Sequence, residues 1–519
     1  MKKIFCFVIT LLLLNSCAKE VKEVKRIPLT TNSEEARVLM QEFLLNMEEQ
    51  RGFLNEELHD SILKLDPDFF YVKAYDNFGS SSERRESYIS AFENKDKVSV
   101  LEAGIIESNY ERRINGNLNK ADEVIDSLIS KFPDYYELYL RSGNLKNALR
   151  NSHGAQLRWE QATALNPNSF NAYFALSTLH YPTGIQFTML PPEERDLDKA
   201  KEMLEKCAKI LPKSFIPSRF LGNVYRAKGD FENALKEYKN SLDLNPDTEG
   251  NQYANSLLMV GHVYTFQGQY ETARQYYQNA IEISNNWWKV QTTDILCNTY
   301  LYERKYDKAI SRLSQLQEEI QKFDEEDIFK LNLTYFSEFA KFLAFGHSQN
   351  KEETLHSVET LHALNDAILE IRFQTALDEE EKQRIKINLS SENLKMAIWY
   401  NILFGDYEVA REQIADFEII TNQRMLFNSS AINDYKKMLG YLNLMEGNLE
   451  ESIRSYEEVS AEVISDDNYH MYFYALAKKA SGDLEGSKKI FIDLANDNFA
   501  TWQNSIVKNL AKDQIKVNI

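Results

Sequence analysis

The chain has 519 residues, 43% of them hydrophobic and 12% aromatic, which is ample for a core and too much for wholesale disorder. Only 18 Gly and 10 Pro punctuate it, fewer than a β-rich or loop-rich fold needs, so helices are expected. The net charge of −19, with no cluster of Lys or Arg, argues against a nucleic-acid partner, because phosphate binding needs concentrated cations.

Lys2 and Lys3 precede an apolar run from Ile4 to Leu14, too short to span a membrane. Residues 1–16 therefore read as a secretory signal rather than as part of the fold. The run ends Leu14-Asn15-Ser16-Cys17, which resembles the bacterial lipoprotein signal. That resemblance implies that Cys17 becomes the lipidated first residue of the mature chain. Residue 18 is Ala rather than Asp, which by the same resemblance implies an outer-membrane destination and leaves the leaflet open. Residues 17–32 are charged and poor in apolar side chains and are expected to form a flexible tether.

Residues 33–101 read as diverged helix pairs. Ser33-Glu34-Glu35-Ala36 offers a cap and an acidic first turn. That helix continues through Leu39, Phe43 and Met47, and a second ends at Asp66-Pro67. Another pair over 72–97 is broken at Gly79-Ser80-Ser81-Ser82.

From residue 102 a period emerges. Ala121 and Pro133 recur as Ala155 and Pro167 after 34 residues, as Ala200 and Pro212 after 45, and as Ala234 and Pro246 after 34. Ala273 and Ala309 come next, at intervals of 39 and 36. The clearest unit spans 214–248. Leu221, Gly222 and Tyr225 mark its first helix, and Lys228-Gly229-Asp230 breaks it, Gly tolerating positive φ and Asp capping the second helix. Ala234, Tyr238, Ser241 and Leu242 share one face of that second helix, which Pro246 ends. The small residues at 222 and 234 let the two helices approach closely. This pattern resembles the tetratricopeptide repeat, a helix–turn–helix unit of 34 residues. The resemblance implies an all-α solenoid of antiparallel helix pairs, since one unit cannot bury its apolar face alone.

Under that reading 102–323 is a repeat array, and its 45-residue interval places an insertion near 182–192. Residues 324–390 are diverged helix pairs, with Asp378 to Lys382 as an acidic helix start. The pattern returns over 391–501, through Gly405, Tyr407 and Ala410 and again through Gly440 and Tyr456. Residues 502–519 form a closing helix and tail, whose outer face is expected to be polar. Cys207 and Cys297 fall at small, buried repeat positions, with no disulfide framework and no metal spacing.

No motif for nucleophilic, metal or nucleotide chemistry occurs, so neither an enzyme nor a cofactor is expected. In the repeat family the first helices line a concave groove. Carried over, the resemblance makes Asn144, Asn171, Phe174, Arg219, Asn223, Arg226, Asn255, His262, Asn298 and Tyr302 the candidate peptide-binding residues. Asn144, Asn223 and Asn298 share one repeat position, and an amide that donates and accepts at once suits an extended backbone. The expected function is a lipid-anchored, non-catalytic scaffold for a protein or peptide partner, with a small-molecule ligand not expected. The alternative is a glycan-binding lipoprotein similar to the starch-utilisation family, whose Gly- and Trp-rich excursions are not matched by five Trp and sparse Gly.

Overall fold

The computed structural model describes residues 24–75, 77–181 and 188–516. The predicted signal, Cys17 and residues 182–187 of the insertion lie outside them. Among the described residues there is helix and no strand. The N-terminal part is built from α1 (Glu34–Glu48), α2 (Glu56–Leu65), the short α3 (Phe70–Lys73) and α4 (Ser81–Glu93). The central array begins with α5 (Val100–Arg113) and α6 (Leu118–Lys131), α7 (Tyr136–Ala148) and α8 (Ser152–Leu165), then α9 (Phe170–Thr178) and α10 (Leu197–Ile210). It continues with α11 (Phe215–Ala227) and α12 (Phe231–Leu244), α13 (Asn251–Phe266) and α14 (Tyr270–Glu282), and α15 (Asn286–Tyr302) and α16 (Tyr306–Ile320). Three long helices come next: α17 (Asp327–His347), α18 (Lys351–Thr375) and α19 (Glu379–Leu403), succeeded by α20 (Tyr407–Arg424). The C-terminal part comprises α21 (Ile432–Met445), α22 (Leu449–Glu457), the short α23 (Ala461–Ser465), α24 (Asn468–Ala480), α25 (Leu484–Asn496) and α26 (Trp502–Lys516). Consecutive helices pack on each other along the chain, giving an all-α solenoid.

The α11–α12 unit shows why the period forms helices in pairs. A Cβ at Gly222 would stand 2.4 Å from the Tyr238 ring, so only glycine lets that ring lie on the α11 backbone. Gly229 turns the chain at φ +75°, and Asp230 then accepts a hydrogen bond from the Asn233 amide at 3.2 Å. The recurring Ala121, Ala155, Ala200, Ala234, Ala273, Ala309 and Ala410 have no exposed surface, each lying where a second helix is covered. Ser33 caps α1 as expected, accepting from the Ala36 amide at 3.1 Å, and Asp378 caps α19, accepting from the Glu381 amide at 2.8 Å. The period fades over 324–390 because α17, α18 and α19 run 21, 25 and 25 residues, longer than the unit allows.

The array turns back on itself. Arg85 of α4 pairs with Glu381 of α19, and the Ser81 amide donates to Glu326 at 3.4 Å. Beyond the insertion, Arg195 reaches Ser465 at 2.8 Å and Asp466 at 3.2 Å. The exposed residues of the closing helix, Lys512, Asp513 and Lys516, are all charged, as expected of an outer face, but protein covers the helix on two sides. Trp502 packs within 5.7 Å of Phe339 and Trp399 in the C-terminal core, while the rest of α26 lies against α15 of the central array. Its second face is therefore covered by protein rather than facing water.

Residues 24–32, expected to be a flexible tether, run extended along α5 and α7. The Thr30 amide donates to Glu102 at 2.8 Å, Lys25 pairs with Asp134 at 2.6 Å, and Arg26 reaches Tyr136 and Glu137. Ile27 is buried. Ile27, Leu29 packed against the core, and these polar anchors fix a stretch whose composition alone suggests freedom.

Candidate functional site

The expected groove residues separate into two groups. Arg219, Asn223, Arg226, His262, Asn298 and Tyr302 stand on α11, α13 and α15, and all six are buried. Asn144 and Asn171 lie at a second concavity, towards the N-terminus. Phe174 belongs to neither: it is core, in edge contact with Phe220 at 4.6 Å. Asn255 is half-buried on α13.

The shared position of the asparagines has an internal use. The Tyr238 hydroxyl donates to Asn223 Oδ1 at 2.8 Å, and Trp159 Nε1 donates to Asn144 Oδ1 at 3.1 Å. His262, at the same place in its repeat, meets the Tyr277 hydroxyl at 2.8 Å. Each polar tip on a first helix thus satisfies the aromatic ring that the second helix drives under it. Asn298 has no such ring and instead donates to Asp294 Oδ2 at 3.4 Å. An amide committed this way keeps only part of its bonding capacity for a ligand.

What covers the central group is the chain itself. Asn498 Nδ2 donates to the Arg226 carbonyl at 3.3 Å, and Phe499 lies 5.6 Å from the Arg226 guanidinium. On α26, Asn509 Nδ2 donates to the Tyr302 carbonyl at 3.0 Å, and the Lys508 ammonium stands 5.3 Å from the Phe266 ring. Burial lowers several titration points in the central group and in the segment over it. Arg219 falls to about 10 and Lys508 to about 8, while His262 drops well below its ordinary value through burial and then the nearby Arg226 charge. Asp294 moves the other way, raised by burial to about 7.

The second concavity is open. A cavity of about 640 Å³ lies between the N-terminal helices, the extended 24–32 segment and α7. Asn144, Asn171, Tyr71, Tyr75, Glu137 and Arg141 line it. Repeat position singles out Asn144, Asn171 and Glu137 among these. Glu137 and Arg141, four apart on one helix, suggest a local ion pair. The structure turns Glu137 to Arg26 instead, and burial raises its carboxyl to about 7. The insertion is also held from the concave side: the Thr188 amide donates to Asn147 Oδ1 at 2.9 Å, and Asn147 Nδ2 donates back to the Thr188 carbonyl at 2.8 Å.

Residues 216–286, which cover α11 to α14, match the tetratricopeptide repeat family. No curated protein matches the chain. Among solved structures, the Cut9–Hcn1 hetero-tetramer of the APC/C is similar over 65% of this chain at 17% identity, with a TM-score of 0.36. The chain spans 62% of that protein's length. The P58(IPK) TPR domain matches over 81% of this chain and 99% of its own, at 14% identity and a TM-score of 0.22. A tetratricopeptide repeat protein from Parabacteroides merdae matches over 57% of this chain and 92% of its own, at 13% identity and a TM-score of 0.32. The chain is an all-α solenoid of consecutive helix pairs, and 216–286 is the stretch of it that matches the tetratricopeptide repeat family.

Proposed function

We propose that this chain is a non-catalytic protein-interaction scaffold, anchored to the outer membrane through lipid on Cys17. The observation that supports it most is the behaviour of the concave face of α11, α13 and α15. That face takes up a stretch of polypeptide, 497–516, by side-chain amides on main-chain carbonyls and by a cation over a ring. A partner offering an extended or helical segment of similar character would bind there in exchange for 497–516, with Arg226, Asn298 and Tyr302 beneath it. Geometry and many weak contacts, rather than a covalent step, then supply the function.

Crosslinking in intact cells and subsequent affinity capture test this. A defined envelope protein is expected with the wild-type chain, and more of it when Phe499→Ala and Asn509→Ala loosen the covering segment. No captured protein, or capture indifferent to those substitutions, contradicts the proposal. The anchor is tested separately by Cys17→Ala, which should leave uncleaved or mislocalised precursor because the acyl attachment point is gone. Unchanged membrane fractionation of that variant contradicts it.

A further inference from the structure

We propose that the cavity lined by α1, α5 and α7 binds a small organic oxyanion, with Arg141 and Arg112 supplying the counter-charge. The chain as a whole is strongly acidic, yet among the described residues five guanidinium groups and two carboxylates, Glu48 and Glu137, line this cavity. The fate of each cation can be traced. Arg26 goes to Tyr136 and Glu137, and Arg37 goes to Glu34 and the carbonyls of Leu29 and Thr31. Arg113 donates to Asn77 at 3.2 Å. Arg112 and Arg141 form no ion pair with any described residue; Arg141 lies 4.8 Å from the Tyr75 ring. Glu48 is engaged elsewhere, accepting from the Ser169 hydroxyl at 2.6 Å and from Tyr136 at 3.4 Å.

Arg112 is exposed and Arg141 half-buried, so the cost of a charge held without a partner falls on Arg141, and a bound anion removes it. Burial pushes Arg141 below its ordinary value, as expected of a cation lacking a counter-charge. The guanidinium fork suits a carboxylate or phosphate, and the Tyr71 and Tyr75 rings with Leu44 and Leu45 offer an apolar wall for the rest of the molecule. The ligand is small because the line an extended peptide would take is already occupied: Thr30 holds Glu102, and Arg26 holds Glu137. The volume left lies within the range of small-molecule pockets. This departs from the sequence-based expectation of no small ligand, and it does not rest on the scaffold reading.

Titration of the intact chain with benzoate, glucuronate and phenyl phosphate, with neutral benzamide as the control, tests it. At least one acid is expected to bind saturably and to raise the melting temperature, while benzamide does not. Arg141→Gln and Arg112→Gln should each weaken that binding by about tenfold or more. Neither should lower the melting temperature of the unliganded chain, since each removes an unpaired charge; a merely structural arginine would lower it. The proposal is overturned if none of the acids binds, if benzamide binds as well as they do, or if both variants bind like wild type. It is also overturned if an acidic peptide binds where all three small acids do not.

Discussion

Trp159→Ala is expected to destabilise the chain by about 3–5 kcal/mol, in the range for truncating a fully buried large aromatic side chain. Trp159 has no exposed surface. It occupies the space left by Gly143, where a Cβ would come within 2.3 Å of the indole Nε1. Removing the ring leaves a void between α7 and α8 that a rigid glycine backbone cannot fill. It also removes the donor to Asn144. Trp159→Phe should cost less, since the void is smaller and one hydrogen bond is worth about 0.5–1.5 kcal/mol. In a nearly one-dimensional array the damage should be local, so chemical denaturation should show an early transition attributable to α5–α10. An unchanged denaturation midpoint in Trp159→Ala would refute the packing register.

The second large effect depends on pH. Burial raises Asp294 from 3.8 to about 7, with the Asn298 hydrogen bond opposing it. A carboxyl whose folded value lies above its unfolded value stabilises fully below the unfolded value, and that contribution is lost as pH rises through the folded value. Asp294→Asn should therefore become progressively more favourable relative to wild type as pH rises from 3.8 to about 7, then level off. At about 1.36 kcal/mol per unit, the gain above that window is on the order of 4 kcal/mol. The difference between the two proteins is the informative quantity. His347 and His470, both lowered by burial from 6.5 to about 4, lose stability in the opposite sense as pH falls, so the wild-type profile mixes both trends. Denaturation at several pH values measures this difference, and one that does not grow with pH would contradict the assignment.

The parts of the fold legible in the sequence are those fixed by short-range contacts. Gly222, Ala234 and Tyr238 lie within seventeen residues and describe one helix crossing completely, so their spacing alone locates α11 and α12. Asp378 announces the start of α19 for the same reason, its carboxylate reaching an amide three residues on. The cover over the central groove was not legible. Asn509 and Tyr302 are 207 residues apart, and nothing in the repeat period says whether water or protein faces Tyr302. Position in the repeat placed Asn223 on the inner side of its helix but could not say that Tyr238 would take up its carbonyl. The tether failed differently: charge composition suggested freedom, whereas Ile27 is buried and the partners of Thr30 and Arg26 lie on helices far along the chain. Arg141 carries no signature of the repeat, and its place in the cavity shows only in the fold, where Glu137 faces Arg26.

Hydrogen exchange on the intact chain tests most directly whether the concave face of the central array is held by the chain's own C-terminal segment. The account predicts that amides of α26 exchange as slowly as those of α15, because the two helices are covered together. Fast exchange throughout 502–516 beside a protected α15 would contradict it, and would leave the central groove open to water.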